Sequence, residues 1–123
     1  MRRLRMFGAV FATAIAMVLP SLAHGHAMLE SGEPAVGSTV QAAPKRVRLH
    51  FTQPLERAFS TIHVEDASGK AVDLGDTTVD PGDGTVLQVS VPDLRPGKYK
   101  VIWRAVSVDT HVTEGDYLFT VGR

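Results

Sequence analysis

The chain has 123 residues, with 13 basic and 13 acidic side chains, a length that allows one domain beside a targeting segment. Hydrophobic residues make up 44% and charged residues 21%, an ordinary globular balance that gives no indication of intrinsic disorder. Cysteine is absent. This excludes a disulfide framework, a thiolate metal site and a cysteine nucleophile.

The N-terminal segment has the order of a secretory signal peptide. Three arginines precede an apolar stretch from Met6 to Leu19, which is shorter than the roughly 20 residues that span a bilayer. We therefore predict a signal peptide over residues 1–25 and a periplasmic or secreted domain over residues 26–123, with an uncleaved membrane anchor as the alternative. No second apolar run follows, so we expect no membrane insertion of the mature domain. Without the three arginines, ten basic residues oppose thirteen acidic ones, and this net charge of −3 argues against nucleic acid or an anionic membrane as partner.

The place of cleavage decides which residue starts the mature chain. Small residues fit a cut after Ala23 or after Gly25, so either His24 or His26 becomes the first residue. A free amine and an imidazole on one residue can close a chelate ring around a metal ion, which an internal histidine cannot do. With the earlier cut, the amine, two amides and the imidazole of His26 in third position can bind Cu(II) or Ni(II) by themselves.

The remaining sequence predicts β-strands, since apolar and polar residues alternate in several short segments. These predicted strands are Arg46–Thr52, Thr61–Glu65, Val86–Val91, Lys98–Val106 and Tyr117–Val121. Gly115 is expected to open the last strand, and Trp103 is expected in the core. Asp80 and Asp83 lie in a Pro- and Gly-rich stretch that favours a tight turn over a calcium site. No convincing amphipathic helical pattern occurs after residue 26, so we predict an all-β sandwich or Greek-key barrel.

One short motif, Asp109-Thr110-His111, follows the strand that ends near Val106. Asp and His two residues apart in an extended or turn segment can point to the same side. A carboxylate and a neutral imidazole are both good donors to Cu(II). Such a pair is usually an ordinary hydrogen-bonded turn, but combined with a histidine start it indicates a metal site. His50 and His63 lie on the polar sides of their strands and are interpreted as surface residues.

Several segments resemble the CopC family of periplasmic copper-binding proteins, in order and over essentially all of residues 26–123. The stretch from His26 to Ser38 is similar to the mature start of that family. Further similar segments are Val47–Phe51, Gly97–Arg104, Ser107–His111 and Gly115–Phe119. The resemblance implies a cupredoxin-like or immunoglobulin-like Greek-key β-sandwich or barrel, in agreement with the predicted strands.

The resemblance also implies a ligand set for one Cu(II) ion. The family holds Cu(II) by the amine and imidazole of its first mature histidine and by the Asp and His of an Asp-x-His motif. Here those residues are His26, Asp109 and His111, which favours cleavage after Gly25, whereas a cut after Ala23 would make His24 the alternative metal residue. Many relatives carry Glu near the metal where this chain has Gln53, whose amide can hydrogen-bond to a ligand but adds no charge.

Function follows from the same resemblance as an expectation. It implies copper carriage, storage or resistance rather than catalysis, with a CopD-like inner-membrane copper transport protein as partner. Some relatives carry a Met-rich loop for Cu(I), but the predicted mature chain retains only Met28, so we expect no Cu(I) site. One alternative is a copper monooxygenase, which needs an open coordination position that Asp109 would fill. The other is a metal-free immunoglobulin-like interaction module, in which the histidine start and the Asp-x-His motif are coincidence.

Overall fold

The computed structural model describes Gly8 and residues 26–123. The predicted signal peptide (apart from Gly8), both predicted cleavage positions and His24 lie outside the described residues. The described chain forms eight β-strands and no helix. They are β1 (Leu29–Glu33), β2 (Thr39–Val40), β3 (Arg46–Phe51), β4 (Thr61–Asp66), β5 (Thr78–Asp80), β6 (Asp83–Ser90), β7 (Gly97–Val106) and β8 (Val112–Val121). Within these residues, no helix has the length and apolar character needed to cross a membrane.

The strands build two four-stranded sheets, in the orders β1-β3-β6-β5 and β2-β8-β7-β4. Neighbouring strands are antiparallel except for β2, which runs parallel to β8. After β3 the chain crosses to the second sheet for β4, returns for β5 and β6, and crosses again for β7 and β8. The predicted all-β sandwich is therefore confirmed.

The core lies between the sheets and is built by alternate residues of the long strands. On β7 the inward side chains are Tyr99, Val101, Trp103 and Ala105, all of them buried. Phe51 of the first sheet and Trp103 of the second pack edge to face, with 5.2 Å between ring centroids, and Tyr99 stacks on Phe119 within the second sheet at 5.5 Å. Burial of alternate residues is the expected result of a period of two, and it places Trp103 in the core as predicted.

The last strand differs from its prediction, because β8 begins at Val112 and Gly115 lies inside it. Gly115 is paired with Trp103 on β7. A Cβ atom on Gly115 would lie 2.5 Å from Cζ2 of the indole. The glycine therefore makes room for the Trp103 ring and does not open the strand.

Three strands were not predicted: β1, β2 and β5. They are five, two and three residues long, and none shows a clear alternation of apolar and polar residues. Each is held by backbone pairing with a longer neighbour, β1 with β3, β2 with β8 and β5 with β6. Pairing with a distant segment leaves no local signal, which is why the pattern missed these strands.

Candidate metal centre

The loop between β7 and β8 carries the Asp-x-His motif. The backbone N–H of Ser107 donates to the carbonyl of His111 at 2.9 Å, and that of Thr110 donates to the carbonyl of Ser107 at 2.8 Å. Thr110 has a φ of 74°, a left-handed conformation that is uncommon for a β-branched residue. This tight turn places Asp109 and His111 side by side, with 3.4 Å between Asp109 Oδ1 and His111 Nδ1.

The carboxylate of Asp109 is held by the hydroxyl of Ser107, which donates a hydrogen bond to Asp109 Oδ1. This bond, with a smaller contribution from His111, lowers the pKa of Asp109 below its ordinary value. The Asp109 side chain is 46% exposed and that of His111 is 48% exposed. The motif therefore presents an ionised carboxylate and an imidazole to the solvent.

Residues 26–28 form an arm that lies against the same end of the sandwich. Ala27 is fully buried, and its carbonyl accepts a hydrogen bond from Thr113 Oγ1 at 2.7 Å. The N–H of Met28 donates to Thr52 Oγ1 at 2.9 Å, and the N–H of Thr52 donates to the carbonyl of Met28 at 2.9 Å. The arm is thus fixed to the residue after β3 and to the second residue of β8.

The arm brings the ring of His26 to that of His111. Their centroids are 4.8 Å apart and the ring planes are tilted by 35°. Because Asp109 adjoins His111, the structure brings together the three residues predicted as ligands, although 82 positions separate His26 from Asp109.

The three side chains do not yet form a closed ligand cage. In the part of the chain that the structure describes, no three His, Cys, Asp or Glu side chains form a group that could hold a metal ion as they stand. The fourth predicted donor requires cleavage, since the nitrogen of His26 is a peptide amide while Gly25 precedes it. Two imidazoles and a carboxylate nevertheless match the nitrogen and oxygen donors that Cu(II) prefers.

In the described chain, no hydrogen bond or ion pair joins the other residues considered from the sequence to this cluster. Gln53 is exposed beside Thr52, and within residues 26–123 no hydrogen bond joins its amide to a predicted ligand. His50 Nε2 lies 3.3 Å from a carboxylate oxygen of Glu33, and His63 Nδ1 lies 3.6 Å from one of Asp73. The side chain of His63 is 59% exposed, as predicted for a surface residue, whereas that of His50 is 31% exposed and half-buried.

Three hydroxyl groups next to the predicted ligands were missed: those of Ser107, Thr52 and Thr113. A local signal existed for Ser107, since a serine close before a turn is at a spacing where its hydroxyl bonds nearby backbone or side-chain groups. The two threonines contact the arm across a long stretch of sequence. No local pattern marks a contact of that kind.

Comparison with known proteins identifies relatives along most of the chain. Protein YobA of Escherichia coli strain K12 is 35% identical over 121 residues, which cover 98% of this chain and 95% of the relative. Copper resistance protein C of Pseudomonas syringae pv. tomato is 35% identical over 88% of this chain and 90% of its own length. Copper transport protein CutJ of Bacillus subtilis is 29% identical over 85% of this chain, but the chain spans only 20% of CutJ.

Solved structures of two copper-related proteins also match this chain. CopC from Methylosinus trichosporium OB3b matches with a TM-score of 0.74 at 35% identity, over 79% of this chain and 94% of that one. PcoC, a methionine-rich copper resistance protein from Escherichia coli, matches with a TM-score of 0.66 at 36% identity, over 78% of this chain and 98% of PcoC. The model of the CopC domain matches residues 29–122. The chain therefore belongs to the CopC family, whose named members include copper resistance proteins.

Proposed function

We propose that the mature protein starts at His26 and binds one Cu(II) ion through four donors. These are the amine and imidazole of His26, the carboxylate of Asp109 and the imidazole of His111. The observation that carries the proposal is the approach of the His26 and His111 rings, 4.8 Å apart, beside a carboxylate whose pKa is lowered by a hydrogen bond. No comparable pair of histidine rings occurs elsewhere in residues 26–123.

The surroundings of the site support a role in carriage, storage or resistance rather than catalysis. All three side chains are exposed, so an ion can reach and leave them without rearrangement of the core. A carboxylate among four protein donors fills a coordination position that oxygen chemistry would require open. Copper is then the cargo of the protein, held by nitrogen and oxygen donors that suit Cu(II) rather than Cu(I).

A periplasmic location and a membrane partner belong to the same proposal. The signal-peptide pattern of residues 1–25 supports export, and the partner is a CopD-like inner-membrane copper transport protein. The match to one fifth of copper transport protein CutJ supports this pairing, because there a CopC-like segment is part of a longer copper transport protein.

The first experiment determines the start of the mature chain and its copper content. The full chain is expressed in a secreting bacterium, and the exported protein is weighed intact by native mass spectrometry with and without one equivalent of Cu(II). We expect a chain that begins at His26 and gains one copper ion. A chain that begins at His24, or one that gains no copper, contradicts the proposal.

The second experiment tests the amine as a ligand. A chain of residues 26–123 is compared with a matched chain of residues 25–123, in which the natural Gly25 moves the free amine away from His26. We expect the shorter chain to bind Cu(II) more tightly in competition with a chelator of known affinity. Equal affinities would show that the amine of His26 is not a ligand.

A further inference from the structure

The buried hydroxyl of Ser107 touches both residues of the Asp-x-His motif. Ser107 is 1% exposed. Its Oγ donates to Asp109 Oδ1 and accepts the backbone N–H of His111 at 3.2 Å. One buried hydroxyl group is therefore bonded to the side chain of one proposed ligand and to the main chain of the other.

The hydrogen-bonding capacity of a hydroxyl decides how these contacts are shared. A serine hydroxyl has one hydrogen to donate and lone pairs to accept. The hydrogen goes to Asp109 Oδ1, because this carboxylate oxygen is nearer to Ser107 Oγ than the carbonyl oxygen of His111, which lies 3.3 Å from it. Oδ1 of Asp109 is thereby engaged by a buried group of the protein.

We infer that Ser107 is a positioning residue of the copper site, which fixes the orientation of Asp109 and the main chain of His111 before copper binds. The inference rests on the proposed function, since it concerns the same site. Asp109 and His111 are about half exposed and lie in a loop, so without a buried anchor they would sample many orientations. Copper binding would then have to supply the free energy of ordering them, and the affinity would fall.

A merely structural role for Ser107 has a matched control in Ser60. Ser60 and Ser107 are the two buried polar residues of the described chain, with 3% and 1% exposure. Ser60 accepts the N–H of Val106 at 3.0 Å, one residue before Ser107. Among the described residues, its hydroxyl bonds main-chain groups of Val106, and no hydrogen bond joins it to Asp109 or His111. Loss of the Ser60 hydroxyl removes a buried hydrogen bond without disturbing the ligands.

The experiment measures Cu(II) dissociation constants by chelator competition for the mature chain and for the variants Ser107→Ala and Ser60→Ala. Thermal melting of the copper-free proteins is measured alongside. We expect Ser107→Ala to weaken Cu(II) binding by about 10-fold or more, the range found when an outer partner of a metal ligand is lost. Ser60→Ala is expected to lower the melting temperature but to leave the dissociation constant unchanged. Equal dissociation constants for the mature chain and Ser107→Ala overturn the inference.

An isosteric pair decides the case if Ser107→Ala does not fold. Ser107→Thr and Ser107→Val have the same shape at this buried position and differ only in the hydroxyl group. We expect Ser107→Thr to bind Cu(II) more tightly than Ser107→Val and to keep the electron paramagnetic resonance spectrum of the mature chain. Identical affinities and spectra for the pair overturn the inference. Copper binding by the mature chain itself separates this failure from failure of the proposed function, which would show as no uptake by any variant.

Discussion

At the scale of single residues, the histidines of the described chain differ in their neighbours. His26 and His111 face each other, with Asp109 beside them. His50 approaches the carboxylate of Glu33 on the adjacent strand β1, and His63 approaches that of Asp73 in the segment between β4 and β5. Proximity of one carboxylate is common on a protein surface, whereas two facing imidazoles beside a carboxylate offer three donors suited to Cu(II).

Replacement of single histidines tests this difference. We expect His111→Ala to raise the Cu(II) dissociation constant by more than the ~10–100-fold that accompanies loss of an outer partner, since a proposed direct ligand is removed. His63→Ala, a change at an exposed position, should leave the constant as it is. Competition with a chelator measures both values, and similar effects of the two substitutions would show that His111 is not a ligand.

At the scale of elements, the arm depends on β8 for its position. Thr113 lies two residues after His111 and donates to the carbonyl of buried Ala27. The strand that begins beside one proposed ligand therefore also holds the segment that carries the other. This arrangement predicts that loosening of the arm affects copper binding even though Thr113 is not itself a ligand.

Thr113→Val tests the connection between the arm and β8. The change removes one hydrogen bond at nearly constant shape, so the free energy of unfolding should fall by about 1 kcal/mol. Hydrogen exchange at the Met28 amide should become faster, because the arm opens more often. Thr120→Val, near the far end of the same strand, is the control and should leave this exchange unchanged. An unaltered Met28 exchange rate in Thr113→Val would contradict the interpretation.

The packing of β7 on β8 makes a separate prediction at Gly115. A Cβ atom there would lie 2.5 Å from Cζ2 and 2.9 Å from Cε2 of Trp103, so Gly115→Ala overpacks the core. We expect the free energy of unfolding to fall by about 1–3 kcal/mol. Urea unfolding followed by the fluorescence of Trp103 measures the change. The control is Gly84→Ala in β6, whose Cβ would have its nearest neighbour at 3.9 Å, and a similar loss there would argue against the packing explanation.

At the scale of the whole molecule, several surface aspartates have lowered pKa values because hydrogen bonds favour their charged forms. Asp66 accepts a hydrogen bond from Ser68, and Asp76 accepts one from Ser90. Asp80 accepts one from the backbone of Gly82, and Asp83 accepts one from Thr85. The guanidinium of Arg48, 3.0 Å from the carboxylate of Asp80, lowers the pKa of Asp80 further. A pKa that is lower in the folded state than in the unfolded state stabilises the fold above the unfolded pKa.

This distribution of charge predicts acid sensitivity of the copper-free protein. Aspartates in the unfolded chain titrate at about pH 3.9, so their contribution to the free energy of unfolding is complete well above that pH. The contribution is lost as the pH falls through the lower pKa values of the folded protein. The melting temperature should therefore decrease between about pH 5 and about pH 2. An acid-insensitive melting temperature over this interval would contradict the prediction. Asp66→Asn together with Asp83→Asn should reduce the slope.

Much of the fold was predictable because its long strands carry their own pattern. Burial of one face imposes a period of two on β3, β4, β6, β7 and β8, and that period is visible without knowledge of the partner strand. The resemblance of the motif segments to the CopC family also indicated His26, Asp109 and His111 from residue identity alone. The sequence by itself therefore determined the long strands, whose pattern lies in neighbouring residues, and it predicted the ligand set through the family resemblance.

The tertiary structure decided what depends on distant segments. The short strands β1, β2 and β5 exist through pairing with longer neighbours, and Gly115 has its role because the Trp103 ring lies over it. The approach of His26 to His111 and the hydroxyl contacts of the arm likewise join residues far apart in the chain. Such contacts are set by the packing of the whole core, and a local pattern of residues contains no information about which distant groups will meet.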